Sequence, residues 1–263
     1  WETTAEINMN DIEQSAFWKT MDEWTAGVMR MEIMGGEPFY MKEFKQFVDY
    51  LIKTGRSKNV ALTLSTNGTI ADRDFLAKMV ANFRDIAFSV SIDGIEDKFT
   101  YLRHPGKWEE VKANLDYYYE LHNSDLPVFV QITHTVTSLN ILYLPEFHEY
   151  FKNTYPNFKI WNNAVHYPKW ISAPVLPRKA RTMISDKLLR YKWLPAYKAE
   201  CQALVNFMNS PLYENGDSVV DSLKGKFNAD KLKFFDERSS QQKWTIFKSQ
   251  IVGGDIYREE NFV

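Results

Sequence analysis

Four short stretches hold the residues best suited to chemistry. They are Met34-Gly35-Gly36-Glu37-Pro38, Ser65-Thr66-Asn67-Gly68, Ser91-Ile92-Asp93-Gly94 and Tyr101-Leu102-Arg103-His104-Pro105-Gly106. In the first, two glycines let the backbone turn sharply and approach a ligand closely. Pro38 cannot continue a strand ladder and helps stop the strand before it. Glu37 then stands at a strand's carboxyl end, where open α/β sheets and barrels place ligands. A carboxylate there accepts hydrogen bonds from a cationic amine. A plainer reading is an ordinary strand-to-helix turn with a solvated glutamate. Asn67-Gly68 and Asp93-Gly94 are likewise ordinary turn formers, and Arg103 an ordinary surface ion pair.

Other chemistries find little support. The five histidines show no metal spacing: His122 and His148 fall on helices, His104 and His166 in loops, and His134 on the apolar face of a strand, where packing is the default. There is no Gly-x-Ser-x-Gly elbow, Walker A loop or dinucleotide fingerprint. The single cysteine, Cys201, excludes an intrachain disulfide and suits a reducing compartment, here the cytoplasm. Beside Ala203, Leu204 and Val205 it reads as a buried inert thiol. A net charge of −2 gives no basic field for nucleic acid or an anionic membrane. No apolar run approaches ~20 residues, so no spanning helix is expected, and no signal peptide is visible. The sequence starts at Trp1 rather than Met, which reads as a fragment.

The elements that must position these residues follow from hydrophobic period. A helix is expected from Asn10, capped by Asn10 or Asp11, with Ile12, Ala16 and Met21 along one side. Strands are expected at 28–33, 60–66, 86–92, 127–136 and 158–165. Helices are expected at 41–54 (ended by Gly55), 72–83, 108–122 and 144–151. Strands alternating with helices of this length argue for parallel βαβ units; the short turns of antiparallel hairpins are absent.

The strands share a face pattern. Arg30, Glu32 and Met34 oppose Met29, Met31 and Ile33. Thr63, Ser65 and Asn67 oppose Val60, Leu62 and Leu64. Ser89, Ser91 and Asp93 oppose Ile86, Phe88, Val90 and Ile92. Gln131, Thr133 and Thr135 oppose Val130, Ile132 and Val136. A doubly wound sheet buries both faces and reads as continuous apolar runs. One polar face, four times over, instead argues for a partial barrel with a polar lumen, toward which Arg30, Glu32, Gln131 and Thr133 point as substrate or cofactor contacts. A closed eightfold barrel needs eight units, and about five fit before residue 166. Beyond it, Pro168, Pro174 and Pro177 break up a loop, and helix-like stretches follow at 178–192, 196–209, 218–235 and 239–248. The expected division is therefore a core at 1–165 and a helical or irregular extension at 166–263.

Taken in order at their strand ends, the four stretches resemble those of radical S-adenosylmethionine (radical SAM) enzymes. The closest likeness is to the branch carrying SPASM or twitch C-terminal domains, over residues 10–165. The resemblance implies an α/β fold: a partial (β/α)6-type barrel, with about five of its parallel strands present, followed by the helical extension. It implies that Gly35, Gly36, Glu37 and Pro38 bind the SAM amino group, with Glu37 facing the ammonium. Ser91, Asp93 and, more weakly matched, Asn67 would hold the ribose and carboxylate. Arg103 would pair with the carboxylate as a planar bidentate donor.

The implied activity is [4Fe–4S]-dependent reductive cleavage of SAM to a 5′-deoxyadenosyl radical. That radical abstracts hydrogen from a substrate the sequence does not identify; a peptide follows only by analogy with that branch. An electron donor for the cluster is an implied partner.

The chain departs from the family pattern at both ends: no strand and cluster loop precede its first expected helix, and its C-terminal part lacks the further cluster cysteines that the resemblance to SPASM and twitch domains implies. The cluster needs thiolates on a CxxxCxxC loop, and Cys201 alone does not supply them. No metal ligand is assigned within this chain, which by itself is expected to be inactive. Either the loop lies outside the sequence, or the protein is a degenerate, non-catalytic SAM-binding or protein-binding module. A further rival is an unrelated barrel enzyme using Glu32 or Glu37 as general base.

Overall fold

The computed structural model describes residues 15–210. The expected helix onset at Asn10, and the expected helices at 218–235 and 239–248, lie outside the described residues. The elements run α1 (Ser15–Thr25), β1 (Arg30–Ile33), α2 (Lys42–Lys53), β2 (Ala61–Thr66), α3 (Arg73–Asn82), β3 (Asp85–Ser91) and α4 (Glu96–Leu102). They continue with α5 (Trp108–His122), β4 (Val128–Val136), α6 (Leu144–Thr154), β5 (Lys159–Ala164), α7 (Arg178–Arg190) and α8 (Pro195–Met208).

The five strands form one sheet in sequence order, β1-β2-β3-β4-β5. β1 pairs parallel with β2 from Arg30↔Ala61, and β2 with β3 from Ala61↔Asp85. Between β3 and β4, the Ile86 N–H donates to Pro127 O at 2.9 Å, and the Ile92 N–H to Thr133 O at 3.0 Å. A helix fills each crossover, as parallel neighbours require. The α/β reading with five parallel strands holds. Two details differ. β1 starts at Arg30, two residues after the expected Val28. The stretch before Arg103, to which the sequence reading assigns no element, is a helix, α4. It has seven residues and only Phe99 buried, too little apolar period to read from sequence.

Two compact units make up the described chain. The first holds residues 15–91 and 110–132. Its alternation is as expected: Leu62 and Leu64 on β2, and Ile86, Phe88 and Val90 on β3, are buried, while Thr63, Ser65, Ser89 and Ser91 are half-buried. Phe88 packs on Tyr118 of α5 with ring centroids 5.1 Å apart. Phe39, Phe44 and Phe75 meet edge to face at 6.0–6.4 Å, the arrangement ring quadrupoles favour. Asp72 caps α3 by accepting the Phe75 N–H at 3.2 Å. Gly55, at φ 72°, ends the α2 segment in the left-handed region. On the polar face, Gln131 Nε2 donates to Ser89 Oγ at 2.8 Å, so neighbouring strands present these groups to each other.

The second unit holds residues 92–109 and 133–210. His134 is buried and lies on Phe147 of α6, ring centroids 4.0 Å apart, which bears out the packing reading of this histidine. Trp108 packs between Phe99 and Tyr150. The α7–α8 pair buries Ile184, Leu188, Cys201, Leu204, Val205 and Met208, and 3₁₀ turns at 169–171 and 173–175 occupy the proline-broken loop. α8 also covers the outer edge of β5. The Ile160 N–H donates to Tyr197 Oη at 3.0 Å, and the Asn162 N–H to Glu200 Oε1 at 3.0 Å. An unpaired strand edge is thereby closed to other chains.

Candidate functional site

In the first unit, the candidate residues gather where β1 and β2 end. Gly35 and Gly36 turn the chain at φ 93° and 58°. A Cβ on either would meet no atom within 4 Å. The backbone conformation, rather than crowding, therefore calls for glycine. Glu37 follows in extended conformation and caps the 3₁₀ turn Pro38–Tyr40. Its side chain is not solvated, in contrast to the glutamate of the plainer reading of this turn; Glu37 is 8% exposed. Its carboxylate has three donors: Thr66 Oγ1 at 2.9 Å from Oε1 and 3.0 Å from Oε2, the Asn67 N–H at 2.6 Å and the Phe39 N–H at 3.3 Å.

Asn67 is drawn into the same cluster by its backbone. Its side-chain Oδ1 turns away, accepting the Thr69 N–H at 2.9 Å and the Thr69 hydroxyl at 2.6 Å. Thr66 Oγ1 also accepts the Gly68 N–H at 3.2 Å, and Asn114 Nδ2 donates to Gly68 O at 2.9 Å. Sequence reasoning named Thr66 within its stretch but gave it no role, and missed Asn114. A signal for Thr66 existed: it shares strand parity with Leu62 and Leu64, and a polar group on a buried face needs a partner. Ser91 ends β3 on the polar parity, half-buried. Arg30 and Glu32 stand exposed on β1.

In the second unit, Asp93 and Arg103 come together. Arg103 Nε donates to Asp93 Oδ2 at 2.6 Å, and the Thr135 N–H to Asp93 Oδ1 at 2.9 Å. Arg103 is the C-cap of α4, its N–H donating to Phe99 O at 2.8 Å. The ion pair engages Nε, so the guanidinium meets Asp93 by its side and not by its forked end. The motif glycines have packing reasons. A Cβ at Gly94 would lie 3.1 Å from the Lys98 carbonyl carbon and the Phe99 nitrogen. At Gly106 it would lie 2.9 Å from Arg103 O. Thr133 is half-buried on β4.

Three buried groups, His134, His148 and Cys201, have their titration displaced by burial. Burial holds His134 down at about 4, against a hydrogen bond to Ile92 O that raises it. Burial likewise holds His148 at about 4. Burial, with Glu200 nearby, pushes the Cys201 thiol up to about 11, so it is not a thiolate at neutral pH. Among the described residues, no three His, Cys, Asp or Glu side chains group to hold a metal ion. None of their helices is long and apolar enough to cross a membrane.

A sequence model of the radical SAM superfamily matches residues 19–155, just over half of the chain. No curated protein matches. Among solved structures, the chain is similar to "Native anSMEcpe with bound AdoMet and Cp18Cys peptide". Identity is 21%, coverage 62% of this chain and 46% of that one, and the TM-score 0.43. It is also similar to "Native anSMEcpe with bound AdoMet", at 20% identity, 61% and 45% coverage and TM-score 0.44. The matched part is less than half the length of each of those chains.

Proposed function

This chain belongs to the radical SAM superfamily, and from that premise we propose that residues 1–165 are the SAM-holding core of a radical SAM enzyme and 166–263 its extension. The observation that carries the reading is the Gly35–Pro38 turn. It lies inside the matched region, at the carboxyl end of a parallel strand, with a buried carboxylate locked beside two left-handed glycines. The turn would take the SAM amino group, with the Glu37 charge adjacent to the ammonium. Asn67 and Ser91 would hydrogen-bond the ribose. Asp93, by holding Arg103 at Nε, would leave the Nη groups to grip the carboxylate. Arg30, Glu32, Gln131 and Thr133 would line the substrate side of the sheet. SAM held there would supply hydrogen abstraction only after accepting one electron from a reductant outside this chain, and the protein would supply position and exclusion of water. We propose a peptide substrate by analogy with SPASM- and twitch-bearing members, a cytoplasmic setting and an electron donor for the cluster.

The cluster that drives this chemistry does not fit the residues present. It needs three protein thiolates, and Cys201 is single, buried and protonated. Its ligands would have to come from sequence outside this chain. The same observation favours a second reading, a SAM-binding module without a cluster. Both are tested on the protein expressed anaerobically from its complete coding sequence. The first expects bound iron and sulfide, SAM binding by calorimetry and 5′-deoxyadenosine on reduction. SAM binding without iron selects the second. Absence of SAM binding overturns both.

A further inference from the structure

We propose that Asn140 is a positioning residue for Asp93, and through it for Arg103. Asn140 lies just after β4, ahead of the 3₁₀ turn 141–143, and is 4% exposed. Its amide is fully used. Nδ2 donates to Asp93 O at 3.0 Å and to Thr135 O at 2.8 Å. Oδ1 accepts the Thr137 N–H at 2.7 Å and lies 3.3 Å from the Thr137 hydroxyl. A primary amide has two N–H donors and two acceptor lone pairs, and all are engaged. The partners also fix its orientation, because a flipped amide would set N–H against N–H and oxygen against two carbonyls.

The contacts close a cycle. Thr135 gives its N–H to the Asp93 carboxylate. Thr135 and Asp93 both give their carbonyls to Asn140. Asp93 is thus held at its main chain by Asn140 and at its side chain by Thr135, and its remaining oxygen takes Arg103 Nε at 2.6 Å. Without Asn140, two carbonyls and one N–H of this turn lose their partner, and the direction of the Asp93–Arg103 pair is no longer set. The functional part of the inference rests on the proposal that this pair serves SAM. The clamp itself rests on geometry alone.

The test uses Asn140→Asp in the protein made from its complete coding sequence. The substitution keeps side-chain size and the acceptor toward Thr137, but turns an oxygen toward two carbonyls. Asn140→Ser serves if that variant does not fold. The control is Leu188→Ala, a core truncation in the α7–α8 packing of the same unit, at a residue whose carbonyl accepts from Trp193 and Cys201. The expected result is a SAM dissociation constant raised about tenfold or more by the Asn140 variant and unmoved by the control at comparable loss of melting temperature. Equal affinity in the Asn140 variant and the parent overturns the proposal, as does equal weakening by the control. Amide exchange at Thr135 and Thr137, measured without SAM, separates the clamp from the functional reading. Faster exchange in the variant is expected even if the parent protein binds no SAM, and unchanged exchange overturns the clamp.

Discussion

The backbone N–H of Asn67 donates to Glu37 Oε2 at 2.6 Å, so one buried carboxylate joins the turn after β1 to the turn after β2. Glu37→Ala would leave the Thr66 hydroxyl and the Asn67 and Phe39 N–H groups without this acceptor. A loss of about 1–3 kcal/mol in folding stability is expected from urea denaturation. If the carboxylate also faces the SAM ammonium, calorimetry should show a further loss of about 1.5–3 kcal/mol in SAM binding. Unchanged affinity would remove Glu37 from the site while leaving its structural role intact.

The Asp93–Arg103 pair separates a fork from a point charge. Its side chains are 16% and 30% exposed, so its worth to folding is modest, about 1 kcal/mol or less. Arg103→Lys keeps the charge but loses the planar donor set. Melting temperature should move little and SAM affinity should drop. An unaffected dissociation constant would assign Arg103 to structure only.

Glycine substitutions should sort by cause. Gly106→Ala sets a Cβ 2.9 Å from Arg103 O, and Gly94→Ala one 3.1 Å from α4 backbone. Overpacking against main chain costs about 1–3 kcal/mol. Gly35→Ala has open space but a φ of +93°, costing about 1–2 kcal/mol. Its neighbours need not move, so hydrogen exchange should change only around residue 35, whereas the other two should loosen α4. Uniform loosening by all three would contradict this division.

Acid should destabilise the second unit. His148 has a folded-state pKa of about 4, below its ordinary 6.5, chiefly because it is buried. Between those values the unfolded chain binds a proton that the folded chain does not. Stability is therefore full above pH 6.5, falls as pH drops toward about 4, and levels off below. His148→Gln should make that limb shallower in melting curves taken across the range, the remainder belonging to His134, which burial also holds at about 4. A limb of unchanged slope would show that His148 is not its source.

The covered edge of β5 makes the last prediction. Tyr197→Phe removes the acceptor for the Ile160 N–H, and Glu200→Ala that for the Asn162 N–H. The double variant should show concentration-dependent association in light scattering, because an open edge templates pairing. A monodisperse double variant would mean that α8 packing alone protects the strand.

The sequence by itself determined the parallel strand order, because period-2 runs separated by helix-length crossovers admit few other arrangements. It also determined the polar and apolar faces, since alternation is local and one misplaced residue would flip a strand. The glycine positions at 35, 36 and 55 were legible for the same local reason: backbone conformation is written in one or two residues. What Glu37, Asp93 and Arg103 touch was decided only by tertiary structure. Thr66 is 29 residues from Glu37, and Thr135 is 42 from Asp93; no period in one segment encodes a partner in another. α4 escaped because a seven-residue helix with one buried side chain has no period to detect. Asn140 escaped because its side chain, like any asparagine's near a turn, reads as local until the fold brings the Asp93 carbonyl within 3.0 Å of it.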